Sequence, residues 1–129
     1  MAKADYDRGL EIRKEVLGEE YVERALKNVT ELDREFQQFM TDVCWGQTWG
    51  RPGLTLKQRS LINLCLLAAL NRPQEFATHF RGALNNGCTL DELRETFIQI
   101  AIYAGFPAGN EAFRIGKQVL AELQASQKT

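Results

Sequence analysis

No stretch of this chain alternates apolar and polar side chains over the length of a strand, and no Asn-Gly pair joins two apolar runs as a hairpin would require. Apolar residues recur instead every three or four positions, punctuated by Gly, Pro and Thr-led boxes. Such a pattern folds as helices and turns. We expect an all-α single domain of about six helices across the 129 residues. Its core should run from about residue 9 to residue 123, with residues 1–5 and 125–129 frayed.

The punctuation places the elements. Leu10, Arg13, Lys14 and Leu17 lead to a break at Gly18. Residues 19–40 contain no Gly or Pro and carry Val22, Leu26, Val29 or Thr30, Asp33 and Phe36 as an imperfect helical stripe, continued by Phe39 and Met40. Breakers return between Cys44 and Gly53, so that segment is irregular or a broken helix. Thr55-Leu56-Lys57-Gln58 is a capping box opening a helix to about Leu70. Being apolar nearly all round, that helix should be central and buried. Pro73 suits the first turn of the next helix, which stops at Gly87. Thr89-Leu90-Asp91-Glu92 is a second capping box. Its helix carries Leu93, Phe97, Ile100 and Ala104, with Ile98 and Ile102 as a second apolar face. After Gly105-Phe106-Pro107, the last helix carries Phe113, Gly116, Leu120 and Leu123. A two-faced apolar helix in so small a domain predicts a homo-oligomer.

A formal net charge of −1 offers no basic field for nucleic acid or an acidic membrane. The start of the chain is too polar for a signal peptide, and the run Leu64–Leu70 is too short to span a bilayer. The reading is cytoplasmic. Cys44, Cys65 and Cys88 form no Cys-x-x-Cys pair, which argues against a disulfide framework, a zinc site or a dithiol centre. Buried free thiols account for them.

The only histidine is His79, set among Phe76, Phe80 and Ala83. It is kept either for packing or for proton chemistry near neutrality. Arg72, Glu75 and His79 share one helical stripe if the first turn is regular. There Arg72 can bind a carboxylate, Glu75 can orient the imidazole or hold it protonated, and His79 can move a proton. A Glu–His pair at this spacing is also ordinary packing. Trp45, Trp49, Arg51 and Pro52 form a second group, a pocket wall, a dimer contact or a core corner. Asn110 and Glu111 open the last helix, where they face a ligand or simply cap it.

Three motifs in order carry a resemblance. Trp45-Gly46-x-x-Trp49-x-Arg51-Pro52-Gly53-Leu54, His79-x-Arg81-x-Ala83-Leu84-Asn85-Asn86-Gly87 and Ile100-Ala-x-Tyr103-Ala-Gly-x-Pro107-Ala resemble the gamma-carboxymuconolactone decarboxylases, over roughly Gly9 to Leu123. The resemblance implies the all-helical AhpD-like fold, built as a homo-oligomer on a trimer, often a hexamer. It also implies a small lactone dicarboxylate as substrate and no metal or organic cofactor. The peroxidase cousins carry Cys-x-x-Cys-x-x-x-His on this helix. Aligned on His79, their cysteines fall at Arg72 and Glu75, and their relay glutamate falls near Ser60, so the redox apparatus is absent here.

The reaction implied is loss of CO2 from 4-carboxymuconolactone to give the enol-lactone of 3-oxoadipate, a step in aromatic catabolism. The substrate is its own electron sink, through the ring double bond to the lactone carbonyl. By this resemblance His79 is the proton donor or oxyanion partner and Glu75 its orienter. Arg72 or Arg51 grips a carboxylate, and Trp45 and Trp49 form an apolar wall. Arg81 lies on another face of the helix, as a subunit contact or a support behind the site. Two alternatives stay open: an alkylhydroperoxidase-like redox protein and a non-catalytic small-molecule binder.

Overall fold

The computed structural model describes residues 3–127. Among these, every regular element is helical, as the spacing predicts: seven α-helices and one π-helix. Contacts divide the chain into two compact units, residues 1–56 and 57–129.

The N-terminal unit contains α1 (Lys3–Leu17), α2 (Glu19–Lys27), α3 (Arg34–Phe39) and a π-helix (Met40–Trp49). Residues 19–40 are not one continuous helix. The Asp33 carboxylate accepts from the Thr30 backbone N–H at 2.8 Å, and the Thr30 hydroxyl accepts from the Leu32 N–H at 3.3 Å. Such local bonds offer the backbone an alternative to the helical ladder. The break separates α2 from α3, and it leaves Leu32, Phe36 and Phe39 exposed.

The breaker-rich segment after α3 is helical after all, in a wider register. The π-helix packs against α1 at backbone distance. A Cβ on Gly9 would collide with the Thr41 carbonyl, and one on Gly46 with the carbonyl of Asp5. Only glycine permits that approach. Arg8 donates to the Gly46 carbonyl at 2.8 Å, and Arg13 to the Thr41 hydroxyl at 3.3 Å. The small apolar cluster of this unit is Val16, Trp45 and Trp49, backed by Ile12, Leu17, Met40, Cys44 and Leu56. Arg13, Thr41 and Asp42 are buried as well.

The C-terminal unit contains α4 (Leu56–Ala69, whose first residue closes the preceding unit), α5 (Pro73–Asn85), α6 (Leu90–Ala104) and α7 (Phe106–Gln127). Its boundaries are local chemistry. Pro73 occupies the first turn of α5 and Gly87 (φ 88°) follows its end. The Thr89–Glu92 capping box is fully formed. Gly105 (φ 106°) separates α6 from α7. Leu64, Phe76, Phe80, Leu93, Phe97 and Val119 lead a contiguous core. Phe97 is its hub, 5.5 Å from the Phe76 ring and 6.0 Å from that of Phe80.

Two expectations are corrected. Helix α4 is not buried all round: only Ser60 and Leu64 are buried, while Ile62, Leu66 and Leu70 are exposed. Helix α7 turns Gly109, Ala112, Ile115, Gly116 and Val119 inward, and Phe113 stays at the margin. Glycine at 116 is what admits the Phe80 and Phe97 rings, since a Cβ there would crowd both. Helix also continues from Lys3 and through Gln127; residues 1, 2, 128 and 129 of the expected frayed ends lie outside the described residues.

Candidate active site

His79 lies near the middle of α5, half-buried, with Phe76, Phe80 and Ala83 of the same helix in the core. Burial pushes the imidazole down from 6.5 to about 4. The ring is therefore neutral at physiological pH. Its Nδ1 lies 3.5 Å from Asn63 Nδ2 on α4. Nearby, Asn86 donates to the buried Ser60 hydroxyl at 2.8 Å. Ser60, the position matching the peroxidase glutamate, is thus a hydrogen-bonded core residue. Sequence reasoning missed Asn63. Its signal was one carboxamide inside the apolar run Leu61–Leu70.

Arg72 and Glu75 are placed differently from His79. Arg72 is the N-cap of α5 with non-helical backbone (φ −117°, ψ 74°), so the regular first turn that would align it with His79 is absent. Both side chains are exposed and line a cavity of about 480 Å³ with Arg81, Arg114, Gln118 and Glu122. Arg72 also lines an adjoining cavity of about 370 Å³ with Pro73, Phe76, Pro107, Glu111 and Ile115. His79 is not among the residues lining either cavity. Asn71, in a left-handed conformation (φ 57°) that asparagine tolerates, sets the corner both cavities share.

The charges in these cavities are mostly spent on each other. Arg81 is paired with Glu122, and Arg114 with Glu111, whose carboxyl is held below the usual range by that arginine. Among the described residues Arg72 forms no ion pair, so its fork is open to a carboxylate ligand. Arg81 therefore stands in an intramolecular pair, itself part of the cavity lining. Glu111 lines the smaller cavity while paired with Arg114, whereas Asn110 is exposed and lines neither.

Trp45 and Trp49 belong to the N-terminal unit. Their rings stack with centroids 4.9 Å apart, and both are buried in that unit's apolar cluster. Arg51, just past the π-helix, is exposed. All three cysteines are free, and burial raises each thiol above its ordinary value. A raised thiol is a poor source of thiolate, which disfavours peroxide chemistry. Among the described residues no three His, Cys, Asp or Glu side chains are grouped as metal ligands, and no helix is long and apolar enough to cross a membrane.

Comparison with known proteins gives the family. Residues 34–118 match the carboxymuconolactone decarboxylase family. The chain is 43% identical to 4-carboxymuconolactone decarboxylase of Acinetobacter baylyi over 92% of its own length and 88% of that protein. It is 42% identical to nitrosuccinic acid decarboxylase of Metarhizium robertsii, over 92% of this chain and 82% of the relative. A 15.0 kDa protein of Paracoccus denitrificans matches at 36% over 64% of the chain and 63% of its own length.

Proposed function

Because the chain belongs to the carboxymuconolactone decarboxylase family, we propose that it is a carboxy-lyase that removes CO2 from 4-carboxymuconolactone, with His79 at the reacting end. The family match runs across residues 34–118 and so takes in parts of both units. The observation that carries the reading is a lone imidazole kept neutral by burial beside a polar partner.

The chemistry follows from where charge moves. As the C–C bond to the leaving carboxylate breaks, its electron pair flows through the ring double bond to the lactone carbonyl oxygen. That oxygen gains negative charge while the departing group loses it. A neutral N–H donor at the oxygen is favoured over a cation. It strengthens as the oxyanion grows and does not clamp the ground-state carboxylate that must leave. With its pKa near 4, His79 serves better as this oxyanion partner than as a stored imidazolium acid. A proton then returns to ring carbon to complete the enol-lactone. Arg72 supplies the grip for the carboxylate that stays, with Arg51 as the alternative. Glu75 lines the Arg72 cavity, where it positions that arginine or the ligand. Trp45 and Trp49, expected as an apolar wall, lie buried in the N-terminal unit's own cluster and are given no part in this assignment.

A second substrate has specific support, since the nitrosuccinic acid decarboxylase, at 42% identity, is nearly as similar as the lactone enzyme at 43%. A nitro group beside a carboxylate is also an internal electron sink, and nitrosuccinate is also a dicarboxylate. The same donor and cation serve both. Exposed apolar residues on α4 and α6, namely Ile62, Leu66, Ile98 and Ile102, support a homo-oligomer, a trimer or a hexamer. Sedimentation at increasing concentration tests this, and a constant monomer mass would refute it.

The test of the reaction is a UV assay on enzymatically generated carboxymuconolactone, with and without chelator, and CO2 release from nitrosuccinate alongside. Turnover insensitive to chelator is expected. His79→Gln should lower kcat about 10²–10³-fold, the usual effect of removing an oxyanion donor. Near wild-type turnover in that variant would remove His79 from the mechanism.

A further inference from the structure

Asn63 is a polar group of the C-terminal unit to which the proposed function gives no task. It interrupts the run Leu61-Ile62-Asn63-Leu64-Cys65-Leu66-Leu67, where a half-buried carboxamide costs stability unless it is bonded. Its partner is the His79 ring, and the Asn86–Ser60 bond lies along the same α4–α5 seam. Leu64 and Ala83, both fully buried, close the seam on the core side.

A neutral imidazole has one N–H and one lone pair, and the group beside one nitrogen decides which it carries. The Asn63 Nδ2 group facing Nδ1 has only hydrogens to offer. Nδ1 must then accept, and the ring proton stays on Nε2. We infer that Asn63 is a positioning residue that fixes His79 in the Nε2–H tautomer, the form in which the ring can serve as the N–H donor proposed above. The inference rests on the role given to His79 above, but the tautomer itself is a property of the protein without substrate.

The chain has one histidine, so its ring nitrogens can be read by ¹⁵N NMR without assignment. In the unliganded wild-type protein at neutral pH, the spectrum should show a protonated Nε2 and an unprotonated Nδ1. Asn63→Asp keeps the size but offers only acceptors, so the proton should move to Nδ1, with kcat falling about 10²-fold or more and KM within about threefold. Asn63→Leu removes the partner without reversing it. Mixed tautomers and a loss of about tenfold in kcat are expected, with far-UV circular dichroism verifying that each variant folds. A wild-type ring protonated at Nδ1 would overturn the inference, as would an unchanged tautomer and kcat in Asn63→Leu. If His79→Gln retained turnover while the tautomer followed residue 63, only the catalytic role would fall. The placement of the proton by Asn63 would stand.

Discussion

The two units of the chain are held together by different means. The C-terminal unit has apolar side chains in surplus: its core is built on three phenylalanines and on leucines, and α4 and α6 still carry isoleucines and leucines to the surface. The N-terminal unit has few. Its apolar cluster is little more than a valine and two tryptophans, and it reaches tight packing through glycine-mediated backbone contact and buried polar groups. Where apolar residues are plentiful, a lone polar group has an energetic reason to be noticed. Asn63 and His79 stand out for that reason. Where packing itself is polar, a buried arginine is ordinary construction.

That contrast can be broken by substitution. Phe80→Ala removes a fully buried ring from the hub of the larger core and should cost about 3–5 kcal/mol in denaturant unfolding. Gly9→Ala should cost roughly 1–3 kcal/mol, because its methyl group enters the space of a carbonyl that cannot move independently of the π-helix. Were Gly9→Ala neutral, the backbone contact would not be what holds the smaller unit.

The pH dependence sharpens the comparison further. Burial lowers His79 from 6.5 to about 4. Between those values the unfolded chain binds a proton that the folded chain does not. Stability should therefore fall as pH drops from about 6.5 toward 4, and the His79→Gln variant should lack that portion of the slope. Equal slopes in the two proteins would mean the ring is better solvated than its surroundings imply. The smallest effect belongs to the surface: Arg81→Ala breaks an exposed pair with Glu122 and should cost under about 1 kcal/mol.

Local chemistry was the legible part of the sequence. Pro73, Gly87, Gly105 and the Thr89 box act through neighbouring backbone, so their positions could be read directly. The turn between α2 and α3 was equally local, but the Thr30–Asp33 bonds were masked by an apolar spacing that made Asp33 look like a stripe position. The π register was not legible, because it depends on α1 lying against Gly46, a contact between residues far apart in the chain. The candidate site divides the same way. His79 was found from its rarity. Its separation from Arg72 was not, because that depends on the N-cap conformation ahead of Pro73.

The tryptophan pair has a practical consequence. The chain has two tryptophans, and both lie in the π-helix of the smaller unit. Intrinsic fluorescence thus monitors residues 1–56, whereas the single imidazole resonance monitors the larger unit. Melting curves recorded with the two signals would reveal whether the halves come apart in one step or in sequence.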